Sequence, residues 1–143
     1  VDIFGACGKP SPCHGRKDST ECYTQLFSQY KFYASFENMR CHGYITEKFA
    51  RALEGGMVPV ALGGNAFRDY ETLGVSHKDM IFVDDFSTVT TLASYLETMD
   101  DAAYNGYHAW RRERRLRSRS EDSEHTYCEL CQQLHLRPEL QKP

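Results

Sequence analysis

Several features of other protein classes are missing from this 143-residue chain. It has no apolar run approaching the ~20 residues that cross a bilayer and no recognisable secretory signal peptide. It has no Asn-x-Ser/Thr sequon, so N-glycosylation cannot indicate its compartment. Its net charge is only −3, which argues against a nucleic-acid-binding protein. Internal repeats are absent, which argues against a repeat architecture.

The composition is that of one soluble globular domain. Hydrophobic residues make up 41% of the chain and charged residues 26%, and the length suffices to bury a core. The chain starts with Val1 and enters an apolar stretch at once. We interpret it as a piece of a longer protein.

Cysteine is abundant for this length. The six cysteines are Cys7, Cys13, Cys22, Cys41, Cys128 and Cys131. Their even number favours disulfides in an oxidising compartment such as the secretory lumen, over buried or metal-bound thiols in the cytosol. Cys128 and Cys131 could ligate zinc with His125 or His135, but the other cysteines lack the spacing of a second zinc motif. The pairing of the cysteines stays open.

Apolar patterning and turn residues predict alternating strands and helices. The predicted strands are Val1–Phe4, Lys31–Phe36, Met57–Leu62 and Met80–Val83. The predicted helices are Glu21–Gln29, Ile45–Glu54, a helix following Ser87, and one that starts at Asp100 or Asp101 and runs through Trp110. Met57–Leu62 is apolar throughout and suits a strand buried on both faces, although Pro59 is awkward in a central strand. The expected fold is α/β, with a mainly parallel sheet layered with helices.

Two of these helices carry residue-level expectations. Thr46 is the expected N-cap of the helix that stops at Gly55-Gly56, and Ser87 is the expected cap of the later one. The later helix is expected to bury one apolar stripe, formed by Val89, Leu92, Ala93, Leu96 and Met99. Tyr107 and Trp110 are expected to lie in the core.

Parallel sheets bind ligands beyond the carboxyl ends of their strands, near helix N-termini. Here that rule selects 36–48, 63–65 and the pair Asp84-Asp85. Lys48 at a helix start would add a full charge to the partial charge of the helix end, which suits a diphosphate. Glu37 or Glu47 could hold sugar hydroxyls. An ordinary capped helix with solvated Glu47 and Lys48 is the competing interpretation.

Five linked motifs carry a family resemblance. They are Tyr-Lys-Phe-Tyr-x-x-Phe-Glu-Asn at 30–38, Tyr-Ile-Thr-Glu-Lys-Phe at 44–49, Val-Pro-Val-x-Leu-Gly at 58–63, Asp-Tyr-Glu at 69–71 and Val-Asp-Asp-Phe at 83–86. In order and spacing the chain closely resembles the donor-binding half of the α-1,3-fucosyltransferases. Val-Asp-Ile-Phe-Gly-x-Cys-Gly at 1–8, Trp110-Arg111 and Cys128-Glu-Leu-Cys131 extend the resemblance to nearly the whole chain.

The resemblance implies a fold and an activity. The fold is the C-terminal, Rossmann-like domain of a GT-B glycosyltransferase, incomplete at its N-terminal end. The activity is transfer of L-fucose from GDP-fucose, with inversion, in α-1,3 linkage to N-acetylglucosamine of a glycoprotein or glycolipid glycan. Such enzymes are type II membrane proteins of the Golgi lumen, so the membrane would be reached only through an anchor missing from this chain. The partners are then GDP-fucose and a glycan acceptor, with no nucleic acid, and the oligomeric state is open.

The resemblance also implies roles for single residues. The GDP-fucose-binding candidates are Glu37, Asn38, Tyr44, Thr46, Glu47 and Lys48. Glu47 and Lys48 are the catalytic candidates, because Lys48 would neutralise the diphosphate and Glu47 would face the positive charge that develops on fucose. The six cysteines are implied to form disulfides. No cofactor is expected to be required: the chain has no Asp-x-Asp motif, and Asp84-Asp85 is interpreted as a strand-end loop. A divalent cation could still stimulate the reaction.

Two regions are expected, a donor-nucleotide-binding domain at 1–110 and a basic helix with the Cys-x-x-Cys tail at 111–143, packed on it. In the family the general base belongs to the acceptor domain, so this chain alone is expected to be inactive. The alternative function is a non-catalytic, disulfide-pinned α/β binding module. The acceptor could be a Lewis-type glycan, an N-glycan core or a lipid-linked glycan.

Overall fold

Three parallel strands form the sheet that organises the fold. The structure, a computed structural model, describes residues 1–4, 7–15 and 19–116. The strands, in their order across the sheet, are β1 (Phe32–Phe36), β2 (Val58–Leu62) and β3 (Ile81–Phe82). The α-helices are α1 (Ser19–Phe27), α2 (Glu47–Glu54), α3 (Arg68–Glu71), α4 (Val89–Thr98) and α5 (Asp101–Gly106). Short 3-10 turns follow at Val83–Asp85 and Ala109–Arg112. The predicted α/β class with a parallel sheet is confirmed.

The chain divides into one unit of residues 1–113 and another of residues 114–143, and every element above belongs to the first. The division predicted after residue 110 stays a prediction. Of the range 111–143, where a basic helix is expected, only 111–116 are described: a 3-10 turn ends at Arg112 and residues 114–116 are irregular. The rest of that range lies outside the described residues. Cys128 and Cys131 lie outside the described residues. None of the described helices has both the length and the apolar character that a bilayer crossing needs.

Pro59 fits the central strand because of the sheet register. Along β2, the N–H groups of parallel strands point alternately to the two neighbours, and Val58 donates toward the β1 side, to the carbonyl of Lys31. The N atom of Pro59 therefore faces β3, but pairing with β3 begins only at Val60, opposite Ile81. The missing N–H of the proline removes no ladder hydrogen bond.

Helices cover both faces of the sheet. On one face α2 buries Phe49, Ala52 and Leu53 against β1 and β2. On the other face Val58 and Val60 form a core cluster with Ile81 and Leu92. Partly buried side chains complete that cluster, including Phe32, Leu96, Met99, Tyr104 and Tyr107. Because β2 alternates its side chains between two covered faces, its run is apolar throughout.

Helix α4 corrects two expectations. Thr88, not Ser87, is its N-cap. The Thr88 hydroxyl accepts the Thr91 N–H, and the Thr91 hydroxyl accepts the Thr88 N–H, which completes a capping box. The buried stripe is also narrower than predicted. Leu92 is 8% exposed, whereas Val89, in the first turn, is 82% exposed. Ala93, the next residue along the helix, is exposed as well.

The first residues correct another expectation. Val1–Phe4 is not a strand of the sheet; among the described residues its backbone pairing is an isolated bridge between Phe4 and Lys9. The chain folds back on itself here, since Lys9 N–H donates to the Ile3 carbonyl at 2.8 Å and Lys9 pairs with Asp2. A local turn satisfies these groups in place of a sheet partner.

One disulfide, Cys13–Cys22, joins the loop before α1 to that helix. Cys7 and Cys41, two further disulfide candidates, carry exposed free thiols.

The remaining helix boundaries differ from prediction by short distances. Helix α1 begins and ends two residues before the predicted Glu21–Gln29. Asp100 caps α5 through the N–H of Ala103, as expected, but α5 stops at Gly106 and Trp110 lies in the separate 3-10 turn. Trp110 is buried, as predicted.

Candidate functional site

The carboxyl ends of the three parallel strands meet at one edge of the sheet. There β1 leads into Glu37, β2 into Gly63-Gly64 and β3 into the turn Val83–Asp85. These are the three segments that the sequence selects. The first two are joined directly, because the Gly64 N–H donates to the Tyr44 carbonyl at 3.3 Å.

The Glu37 carboxylate is the centre of this edge. Its side chain is 1% exposed. Oε1 accepts the Thr46 N–H at 2.7 Å, and Oε2 accepts the Thr46 hydroxyl at 2.7 Å and the Lys48 ammonium at 3.0 Å. The ammonium also donates to the Thr46 hydroxyl oxygen at 3.1 Å. Glu37, Thr46 and Lys48, three of the predicted site residues, therefore form one hydrogen-bonded group, which we name the Glu37 cluster.

The Glu37 cluster keeps both of its ionisable members charged. Burial works against the Glu37 carboxylate, but the donors from Thr46 and Lys48 together outweigh it and lower the pKa of Glu37. The hydrogen bond from Lys48 to Glu37 raises the pKa of the Lys48 ammonium. The result is a fixed ion pair at the start of α2.

Helix α2 begins in an unusual way. Thr46 occupies the predicted N-cap position, but its side chain makes no cap hydrogen bond. Its hydroxyl and its N–H both donate to the Glu37 carboxylate instead. The N–H groups of Glu47 and Lys48, the first two helical residues, have no acceptor within the helix. A positive helix end and a lysine ammonium thus lie side by side.

Two glycines after β2 make room for carboxylates. A Cβ on Gly63 would lie 2.5 Å from Glu37 Cγ and 3.1 Å from the Tyr70 hydroxyl. Gly64 has φ of +63°, and a Cβ there would lie 2.8 Å from Asp69 Oδ2. The close approach that these glycines allow is to side chains of the protein itself.

A second buried carboxylate, Asp69, fastens the loop before α2. Its side chain is 3% exposed and accepts the Asn65 N–H at 2.7 Å. His42 Nδ1 lies 2.6 Å from Asp69 Oδ1. Backbone donation from Asn65, then from Gly43, lowers the pKa of Asp69. The contact between His42 and Asp69 joins the β1–α2 loop to the segment after β2.

The acidic pair after β3 is also engaged. Asp84 accepts two hydrogen bonds from the Arg40 guanidinium, one of them at 3.2 Å, and Asp85 lies 3.0 Å from His77 Nδ1. Asp84 thereby holds the β1–α2 loop from its other side. In the part of the chain that the structure describes, no three His, Cys, Asp or Glu side chains converge on a point that could hold a metal ion.

The other predicted site residues surround the Glu37 cluster. Asn38, Tyr44 and Glu47 are exposed and belong to the same loop and helix start. Sequence reasoning missed Arg40 and Asp69 as the residues that fasten this loop. The motif Asp-Tyr-Glu at 69–71 marks Asp69 in the sequence, but nothing there points to its partner His42.

Comparisons with known proteins agree on one family. The family model described as "Glycosyltransferase family 10 (fucosyltransferase) C-term" matches residues 1–142. The chain is 37% identical to glycoprotein 3-alpha-L-fucosyltransferase A of Drosophila melanogaster, over 100% of this chain and 27% of that protein. It is 39% identical to alpha-(1,3)-fucosyltransferase 7 of Mus musculus, over 92% of this chain and 32% of the relative. It is 35% identical to alpha-(1,3)-fucosyltransferase fut-6 of Caenorhabditis elegans, over 94% and 34%. The chain thus spans about a third or less of these relatives.

Proposed function

The chain belongs to glycosyltransferase family 10, the fucosyltransferases, and on that premise we propose that it forms the GDP-fucose-binding part of an inverting α-1,3-fucosyltransferase. As a member of this family, the chain has the α/β fold of the C-terminal domain of a GT-B glycosyltransferase. The fucosyl acceptor in this proposal is N-acetylglucosamine of a glycoprotein or glycolipid glycan.

One observation carries the proposal: the Lys48 ammonium is fixed at the N-terminus of α2, at the carboxyl edge of a parallel sheet. An ammonium has three N–H bonds. Its acceptors among the described residues are Glu37 and Thr46, which leaves one N–H for a ligand. A diphosphate that takes this N–H also meets the positive end of the helix.

The same arrangement suits the chemistry of fucosyl transfer. As the glycosidic bond breaks, negative charge grows on the departing GDP and positive charge on the sugar. Lys48 would stabilise the first, and the Glu47 carboxylate, one residue before it, would stabilise the second. The exposed side chains of Asn38 and Tyr44 would contact the nucleotide sugar. A base that takes the proton of the acceptor hydroxyl, which inversion requires, is not assigned to any residue of this chain.

The compartment forms part of the proposal. The Cys13–Cys22 disulfide is the kind of bond that persists in an oxidising lumen. It supports a secretory-pathway location, and we assign the full-length protein to the Golgi lumen as a type II membrane protein. We assign no metal to this scheme, in which Lys48 and the helix end would stabilise negative charge on the diphosphate.

Calorimetric titration of the oxidised 143-residue chain with GDP, GDP-fucose and UDP tests the proposal. We expect saturable binding of GDP and GDP-fucose that UDP does not share. Lys48→Ala should weaken GDP binding about 10- to 100-fold, the range for loss of a hydrogen bond to a charged group. The matched control is Lys31→Ala, since Lys31 is also ion-paired, to Asp101, but precedes β1 at the opposite edge of the sheet.

A folded chain that binds none of these nucleotides would contradict the proposal. It would leave the non-catalytic binding module as the better description. GDP binding that Lys48→Ala and Lys31→Ala weaken equally would remove the assigned role of Lys48.

A further inference from the structure

Glu37 and Thr46 together accept the Lys48 ammonium. The resemblance places the Glu37 carboxylate among the residues that contact GDP-fucose. We propose that Glu37 is a positioning residue: it holds the Lys48 ammonium in place for the donor diphosphate and does not itself touch the donor. This inference rests on the proposed function, because it concerns the same diphosphate site.

Burial separates Glu37 from any ligand. Its side chain is 1% exposed, and Gly63 packs so closely that a methyl group there would overlap Glu37 Cγ. A carboxylate offers about four acceptor positions, and three donors from Thr46 and Lys48 already occupy its two oxygens. The remaining position belongs to a side chain that is 1% exposed, so a sugar hydroxyl has no open approach to it.

The partners of Glu37, in contrast, are partly exposed. The Lys48 side chain is 25% exposed, against 1% for Glu37. The backbone behind it is held as well, since the Ser35 hydroxyl donates to the Lys48 carbonyl at 3.3 Å. Both ends of the lysine are therefore fixed before a ligand arrives.

Fixing a lysine affects binding because its side chain is flexible. A free lysine side chain samples many rotamers, and part of that entropy is lost when a ligand immobilises it. Glu37 and Thr46 impose that order in the unbound protein. A charge aligned in advance also stabilises a departing diphosphate without reorganising during the reaction.

Removal of Glu37 therefore has two opposing effects on a bound anion. It removes a nearby negative charge, which favours the anion, and it releases Lys48, which disfavours it. We infer that the second effect dominates, because Glu37 is buried and its charge is compensated by three donors, whereas the position of Lys48 depends on it directly.

The test compares two ligands, GDP and guanosine, with the oxidised full chain. Glu37→Gln keeps the side-chain shape and removes the charge. It should raise the Kd for GDP about tenfold and leave the Kd for guanosine, which has no phosphate, unchanged. In a Lys48→Met background the same Glu37→Gln change should no longer weaken GDP binding, because no ammonium is left to position. A purely structural role would weaken both ligands and would persist in that background.

Glu37→Asp is the second variant, for use in particular if Glu37→Gln does not fold. It keeps the charge but withdraws the carboxylate by one methylene, so it too should weaken GDP and spare guanosine. Unchanged GDP affinity in Glu37→Asp, or tighter GDP binding in Glu37→Gln, would overturn the inference. Absence of GDP binding by the unmodified chain would instead contradict the proposed function itself.

Discussion

Replacement of Gly63 by alanine should damage the Glu37 cluster without touching its polar atoms. The added Cβ would lie 2.5 Å from Glu37 Cγ, 3.1 Å from Glu37 Cβ and 3.1 Å from the Tyr70 hydroxyl. A carbon–carbon distance of 2.5 Å is far inside the ~3.5–4.0 Å optimum, so one group must move. Tyr70 is 1% exposed and packs against Phe49 and Phe82, which leaves Glu37 as the group that shifts.

The magnitude follows from two contributions. Overpacking a well-packed interior costs about 1–3 kcal/mol. Complete loss of a buried, charge-assisted hydrogen bond costs about 1.5–3 kcal/mol. A bond that is only lengthened costs less. Together we expect Gly63→Ala to lower the free energy of unfolding by about 2–4 kcal/mol. GDP affinity should fall as well, since Glu37 positions Lys48.

Urea unfolding of the oxidised chain, followed by circular dichroism, measures the first quantity, and calorimetric titration with GDP measures the second. The control is Gly106→Ala, at the last residue of α5, where an added Cβ meets nothing within 4 Å. Alanine in a helix is favoured over glycine by about 0.5–1 kcal/mol, so this control should be neutral or slightly stabilising.

The reasoning would be refuted if Gly63→Ala unfolded at the same urea concentration as Gly106→Ala and bound GDP as tightly. That result would mean that the sheet edge yields to a methyl group, so neither the packing of Gly63 nor the position of Glu37 is constrained. Loss of stability with unchanged GDP affinity would support the packing argument and oppose the positioning role.

Three further predictions address other parts of the chain. Replacing Cys13 and Cys22 by serine should lower the free energy of unfolding by about 2–3 kcal/mol, the chain-entropy value for a loop of this size. In urea unfolding, reductant should destabilise the unmodified chain by the same amount, and a smaller loss in the serine variant would contradict this value. Leu92→Ala should lower the free energy of unfolding by about 2–4 kcal/mol, whereas Val89→Ala should be nearly neutral, because only Leu92 is buried. Equal losses of stability in thermal unfolding would contradict the exposure of Val89. Because the pKa of Glu37 is lowered from its ordinary value of 4.5, its contribution to stability is complete above pH 4.5 and is lost as the pH falls through the folded value. Acid unfolding of Glu37→Gln should therefore depend less steeply on pH in that range, and identical profiles would exclude this contribution.

Much of the fold could be predicted because it depends on local pattern. The apolar run of β2 indicates a strand covered on both faces, and the periodicity of α2 with Gly55-Gly56 after it defines a helix and its end. Strands that alternate with helices imply a parallel sheet. These patterns also locate the candidate site, since the carboxyl edge of such a sheet follows from the topology alone.

The failures of prediction have a common physical origin. Val1–Phe4 has strand-like composition, yet in the part of the chain that the structure describes its backbone forms an isolated bridge to Lys9 and joins no sheet. Val89 is apolar, yet it is exposed. In both cases composition describes what a segment can form, while burial depends on which neighbour covers it. The shift of the α4 cap from Ser87 to Thr88 depends on the reciprocal hydrogen bonds with Thr91.

The sequence by itself determined the class of fold, the family and the segment that holds the candidate site, because each is encoded in the order and spacing of residues along the chain. Only the tertiary structure shows what Glu37 contacts. Its partners Thr46 and Lys48 are nine and eleven residues away along the chain, and Gly63, which packs against it, belongs to another strand end. Whether a carboxylate faces a ligand or a lysine depends on burial and on donors brought together by folding, and neither is visible in the residue type.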